Sequence, residues 1–418
     1  MNVKHGGKIA LIAALLMAGA SAGSFAATAE QTKAVTPYFN MSLAEMLNMP
    51  SQGNFFSGGQ MNADLGLLGN INESNSLFAL YNFRYMGPSF YPQDSNQFED
   101  RSLSHYINLE YRLKLGEFRV RPGVAKTIGK RKTGANEAWD SGLYNTNSDG
   151  WNLAADWLYE LSGKSGVLTA KYLVRAVEFP NYTDLLREFQ NAGSASELSG
   201  GLQNQNMSQL SLRSNWNSMT LGVSRSVMDY TNQTVVEDTG LYGNSRQRDT
   251  ATAIDFGLNT SWGLFEFYPN IEYNIYRSNQ NFLRYKYFGA TITDITDPSA
   301  DVTFMNDNYS YNELALRIPL DLNLGADARW AVSGGLELIR RDYVARLARD
   351  SENNYKSGDR QKNLITRLSV GFRKHLNEIA DMRLSYTFTI AESNNTFEKY
   401  LPYNYTGHTF GLAYNIRY

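Results

Sequence analysis

Apolar and polar residues alternate along most of this chain. In MRLSYTFTI, Met382, Leu384, Tyr386, Phe388 and Ile390 share one face, and Arg383, Ser385, Thr387 and Thr389 share the other. In NELALRIPLDLNL, Leu314, Leu316, Ile318, Leu320 and Leu322 oppose Glu313, Arg317, Asp321 and Asn323. TAIDFGLNTSW and SHYINLEYRL read the same way. A period of two sends successive side chains to opposite faces of a strand. The pattern predicts about fourteen strands, within a range of about twelve to sixteen, each roughly ten to fourteen residues long. Strands of soluble proteins usually run about five or six residues, whereas a tilted strand crossing a bilayer needs roughly nine to eleven. The connections between them alternate short and long. Together these features predict an all-β fold, a transmembrane antiparallel up-and-down β-barrel with short turns at one end and long loops at the other.

The first residues break the pattern. MNVKHGGK carries Lys4 and Lys8, an apolar run IALIAALLMAGA follows, and small residues come next. This is the layout of a secretory signal peptide, predicted over 1–26 with cleavage after Ala26. Residues 27–75 are predicted to form a periplasmic N-terminal segment or small plug, and 76–418 the barrel. In MSLAEMLNM, Leu43, Met46 and Leu47 stand at helical spacing and Pro50 ends the run. This stretch resembles the start of the plug regions of TonB-dependent receptors, but fewer than fifty residues are too few for a full plug. NADLGLLGN can be read as a strand, and a partner for it would raise the count to sixteen.

Composition narrows the partners. The chain has 418 residues, a formal net charge of -2 and no cysteine. Phosphate backbones demand concentrated positive charge, so nucleic acid is not expected as a partner. The lack of cysteine removes disulfides, thiolate metal sites and a cysteine nucleophile. Mean hydropathy is low at -0.42, as expected when half of every strand and all the loops are polar.

The chain ends in FGLAYNIRY, with Phe410, Leu412, Tyr414, Ile416 and Tyr418 on one face. This stretch resembles the C-terminal insertion signal of Gram-negative outer-membrane β-barrels. The resemblance implies residence in the bacterial outer membrane, recognition by the barrel-insertion machinery, and contact with outer-membrane lipid and lipopolysaccharide.

The polar faces then map a lumen. Arg84, Arg112, Arg119, Arg121, Arg367, Arg373, Arg383 and Arg417 fall on the first and last strands, which adjoin in a closed barrel. Asp255, Glu266, Glu272, Glu313, Asp321 and Glu337 fall on the middle strands. They are predicted to form a basic wall facing an acidic one. Such walls either select ions or pair and keep the interior solvated. The expected function is a porin-like passive channel for small hydrophilic solutes. A gated transporter with an N-terminal plug, and a barrel-anchored adhesion or export-assembly protein, are the alternatives. A barrel of about fourteen strands with a short N-terminal segment also resembles the long-chain fatty-acid transporters, although their hatch motif is not evident and the charged lumen is unsuited to an apolar ligand.

No catalytic, cofactor or metal site is expected. His5 leaves with the signal peptide, His105 and His408 have lipid-facing parity near the outer rim, and His375 lies by a periplasmic turn. None sits beside a nucleophile on the polar face, so the chain is not expected to be an enzyme. DITDPSAD lacks EF-hand spacing, and NYTDLLREFQ suggests a short helix at 182–191 within a loop. If the terminal resemblance is sound, replacing Tyr418 by Ser lowers the amount of folded barrel in the outer membrane, measured by cell fractionation and heat-modifiable gel migration. Unchanged levels would refute it.

Overall fold

A computed structural model describes residues 34–51, 56–88, 100–133, 137–183, 200–238, 242–285, 302–324, 329–397 and 403–418. The elements are β1 (Val35–Pro50), β2 (Phe56–Asn70), β3 (Asn75–Pro88), β4 (Arg101–Leu115), β5 (Phe118–Lys132), β6 (Thr146–Leu161), β7 (Lys164–Glu178), β8 (Gln205–Trp216), β9 (Met219–Val236) and β10 (Tyr242–Leu258). They continue with β11 (Thr260–Trp262), β12 (Phe265–Phe267), β13 (Asn270–Ser278), β14 (Phe282–Tyr285), β15 (Val302–Met305), β16 (Tyr311–Leu324), β17 (Trp330–Arg349), β18 (Tyr355–His375), β19 (Ala380–Ser393) and β20 (Tyr405–Arg417). Each long strand pairs antiparallel with its neighbours in sequence, and β1 pairs with β20. β14 and β15 form a separate hairpin.

β10 and β11 are two parts of one strand, as are β12 and β13, so the closed barrel has sixteen strands. Proline explains the two interruptions. Pro269 lies at the break between β12 and β13, and Pro319 lies next to it on β16, so two N–H donors are missing at one height. The Leu258 N–H to Pro269 O and Tyr268 N–H to Pro319 O bonds, at 2.9 and 3.1 Å, carry the sheet across the gap.

One end of the barrel holds tight turns. Two-residue turns link β4 to β5, β6 to β7, β8 to β9 and β11 to β12. They begin at Gly116, Ser162, Asn217 and Gly263, all with positive φ. Ser162 and Gly163 both occupy the left-handed region, the twist that suits a two-residue hairpin. At the other end some of the expected long loops are instead tall hairpins. β17 and β18 run for 20 and 21 residues, leaving only 350–354 as their connection. Register shifts above Asp342 accompany this extension.

The N-terminal reading requires correction. Residues 35–70 are neither a tail nor a plug, because they form the first two strands of the wall. MSLAEMLNM is strand, not helix. On β1, Phe39, Met41, Leu43 and Leu47 face outward, with Glu45 the polar exception, while Met46 faces inward. Helical propensity yields here because β20 needs a partner: an unpaired edge would leave a row of backbone donors and acceptors unsatisfied. The seam is tied by reciprocal bonds of 2.8 Å between the backbones of Phe39 and Tyr418. The signal-peptide residues, DITDPSAD and most of the 182–191 helix lie outside the described residues.

Closure at this seam is testable. Ala44 and Ala413 are direct partners across β1 and β20, and the chain has no other cysteine. The double variant Ala44→Cys, Ala413→Cys is expected to form a disulfide, seen as faster migration of the unfolded, non-reduced chain. Absence of the bond under oxidising conditions would contradict the sixteen-strand closure.

Candidate functional site: the barrel lumen

Register divides every strand into an outward and an inward face. The outward face carries exposed Leu65, Leu109, Val124, Leu153, Leu212, Leu221, Ile254, Ile271, Leu314, Leu368, Leu384 and Leu412. An apolar band running round the whole circumference cannot be a water-facing surface. Near the tight turns it is bordered by Phe118 stacked on Trp157 and by Trp330 against Phe372. Toward the other end lie two matching clusters. Tyr81 Oη lies 2.8 Å from His105 Nδ1, and Tyr386 Oη lies 2.8 Å from His408 Nδ1. Phe83 and Phe388 pack against the two imidazoles. An apolar band between aromatic girdles, on an even-stranded antiparallel barrel, is the signature of a bilayer-spanning wall. The chain is a bacterial outer-membrane-type β-barrel.

Comparison with known proteins agrees with this at the level of fold. No family model matches the chain, and no curated protein matches it. Among solved structures, it is similar to a bacterial polysaccharide outer membrane secretin (9% identity, 91% of this chain and 98% of that one, TM-score 0.42). It is similar to in-vitro folded OmpT, an outer membrane protein of Vibrio cholerae (11% identity, 94% and 100%, TM-score 0.44). It is also similar to CdiB from Acinetobacter baumannii (13% identity, 91% and 60%, TM-score 0.47). The expectation that the chain is not an enzyme is corrected here. The solved barrels of this fold carry names as different as a secretin, OmpT and a siderophore receptor; a likeness this distant shows fold alone, so neither it nor the placement of the histidines excludes catalysis, and the exclusion is withdrawn.

The inward face is polar, and every predicted lumen residue shares it. Arg84 is on β3, Arg112 on β4, Arg119 and Arg121 on β5, Arg367 and Arg373 on β18, Arg383 on β19, and Arg417 on β20. Asp255 is on β10, Glu266 on β12, Glu272 on β13, Glu313 and Asp321 on β16, and Glu337 on β17. The inward parity of each follows from its cross-strand partners. The terminal residues Phe410, Leu412, Tyr414 and Ile416 face outward.

The charges do not segregate into two walls of opposite sign. Arg317 Nη1 lies 3.0 Å from Glu272 and its Nε 2.9 Å from Glu337, which in turn holds Arg367 at 2.5 Å. Across the barrel, Glu110 holds Arg112 at 2.7 Å and Arg121 at 3.4 Å, and Arg121 reaches Asp156 at 2.8 Å. Each ladder alternates sign and sums to zero. Arg213 with Asp255 and Arg341 with Glu313 add two more pairs, at 3.0 and 2.6 Å. Exposed ion pairs contribute only about 0–1 kcal/mol each to stability, so the ladders matter more for cancelling the field inside the lumen. Arg317, Arg341, Arg213, Glu110 and Asp156 are absent from the sequence-based walls. Alternation identifies the face of each residue, but only register shows which charge stands beside it.

A remnant of the expected polarity survives. Arg84, Arg119, Arg373, Arg383 and Arg417 have no ion pair among the described residues, and all lie on strands flanking the seam. On the far side Glu266 is held by Tyr268 Oη and by Asn323 Nδ2 at 3.0 Å rather than by a cation. One unit charge about 8 Å away in water-like dielectric is worth ~0.5 kcal/mol, roughly a two-fold change in local ion ratio. Accordingly, Arg119→Glu is expected to move the zero-current potential in a salt gradient toward cation preference. Glu337→Gln, which leaves ladder arginines uncompensated, is expected to move it toward anions. Equal potentials in both variants and the parent would show that these groups do not bear on permeation.

Proposed function

We propose that this barrel is a porin-like passive channel for small hydrophilic solutes across the outer membrane. The observation that carries this reading is closure on sixteen strands around a polar inward face. Small barrels of about eight strands fill with their own side chains, whereas those of about sixteen to eighteen leave an aqueous channel. The inward face carries the charge ladders and, packed beneath them, the buried polar side chains Asn82, Asn108, Ser148, Asn152 and Ser226, a polar rather than an apolar lining. The segment that would have served as a plug is part of that wall. Outer-membrane lipid and lipopolysaccharide cover the outward band in this reading, and the insertion machinery engages the last strand.

The test is conductance of the purified, refolded protein in a planar bilayer. Stepwise, ohmic current through single insertions is the expected result. A correctly folded barrel that stays silent across a range of voltages and salts would overturn the channel reading.

A further inference from the structure

A recess opens in the lumen wall toward the long-loop ends of β1 to β5. It is a cavity of about 530 Å³, within the range of roughly 300–1,000 Å³ typical of small-ligand sites. Two register rows build it. The first runs Ser42, Asn62, Arg84, Ser104, Gly129 across the five strands, and the second runs Ala44, Gln60, Met86, Ser102, Arg131. Small side chains at most of these inward positions leave the wall hollow around Arg84.

The rows differ in how their charges are spent. Arg131 is neutralised by Asp100, at 3.1 Å from Nε and 2.6 Å from Nη2, and its guanidinium lies over the Tyr144 ring. Lys130, at the rim, is 2.8 Å from Asp140. Arg84 is exposed and has neither ion pair nor hydrogen bond among the described residues. Ser42, Gln60, Ser102 and Ser104 also make no side-chain hydrogen bond there. Asn62 accepts one bond, from Asn82 at 2.9 Å, and its own amide N–H groups donate to no other described residue. The recess therefore presents one uncompensated planar cation within a set of unused hydroxyl and amide groups, with the exposed Met86 side chain beside them.

We propose that this recess binds a small hydroxylated carboxylate of the sugar-acid class. A guanidinium matches a carboxylate with two parallel N–H···O bonds. A single net positive charge suits a monoanion; a dianion would leave one charge unbalanced. The serine hydroxyls and Gln60 both donate and accept, as sugar hydroxyls require, and Met86 offers an apolar contact for the carbon skeleton. The inference deepens the channel reading by naming a solute class, and rests on that reading only for the route by which the ligand arrives.

Titration calorimetry on the full-length protein, folded in detergent micelles, tests the site without requiring conduction. The probes are gluconate, glucose and inorganic phosphate. Gluconate is expected to bind at least about ten-fold more tightly than glucose, the worth of one charge-assisted hydrogen bond. Arg84→Gln should erase that preference, Arg84→Lys should keep part of it, and Lys171→Gln, an inward cation on β7 outside the recess, should leave it intact. Heat-modifiable migration verifies that each variant is folded. Gluconate no tighter than glucose, or a preference that survives Arg84→Gln, would overturn the proposal. Phosphate binding more tightly than gluconate would also overturn it, in favour of a simple anion site. Binding by a barrel that is silent in bilayers would refute the channel reading and leave this site standing.

Discussion

Closure of the sheet is the constraint on which the rest of this structure depends. Hydrocarbon offers no partner for a backbone N–H or C=O, and each group left unpaired there costs several kcal/mol. A sheet can meet that demand only by returning to its own first strand. The bonds that join β1 to β20 therefore outrank any local preference of residues 35–50. Ala, Glu, Met and Leu are good helix formers, yet their intrinsic advantage amounts to tenths of a kcal/mol per residue. Against a seam of unsatisfied backbone it does not compete.

The same constraint explains which parts of the molecule are legible from sequence. Alternation reports the face of each residue because the side-chain period is a property of one strand. Every charge assigned inward is inward, and His105 and His408 are outward. Strand identity failed over 35–70, where the helical spacing of Leu43, Met46 and Leu47 hid β1 and left β2 without a partner, and in the long loops that are extensions of β17 and β18. Neighbour relations were not legible at all. Which residue lies beside Glu337 depends on the stagger of β16, β17 and β18, and a slip of two residues would keep every face while changing every neighbour. The two opposed walls were an inference about faces extended to an inference about neighbours, and the ladders show where that extension stops.

Pairing along the wall changes how the lumen acts on a solute. Where each guanidinium has a carboxylate within about 3 Å, the far field of the pair falls away and a passing ion meets little net charge. On the channel reading, selectivity rests on the groups left uncompensated: among the described residues Arg84, Arg119, Arg373, Arg383 and Arg417 lie on β3, β5 and β18 to β20, and inward Lys171 stands apart on β7. On that same reading, a largely neutral, hydrogen-bonding wall with a local positive sector favours polar solutes in general and retains anions briefly.

The recess around Arg84 follows from both points. Arg84 itself was read as a lumen residue, but its neighbours Ser42, Gln60 and Asn62 belong to strands that the sequence reading placed outside the wall. Without β1 and β2, Arg84 is one more basic residue on the first strand of a barrel. With them, it becomes the only charged member of a five-strand register row whose other inward positions are Ser42, Asn62, Ser104 and Gly129. A guanidinium is normally drawn to the nearest carboxylate, as Arg112, Arg121, Arg317 and Arg367 are here. Surrounding it instead with small hydroxyl and amide groups keeps its hydrogen-bonding capacity for something that is not part of the wall. The closure that supplies the last strand with a partner is thus also what assembles the site.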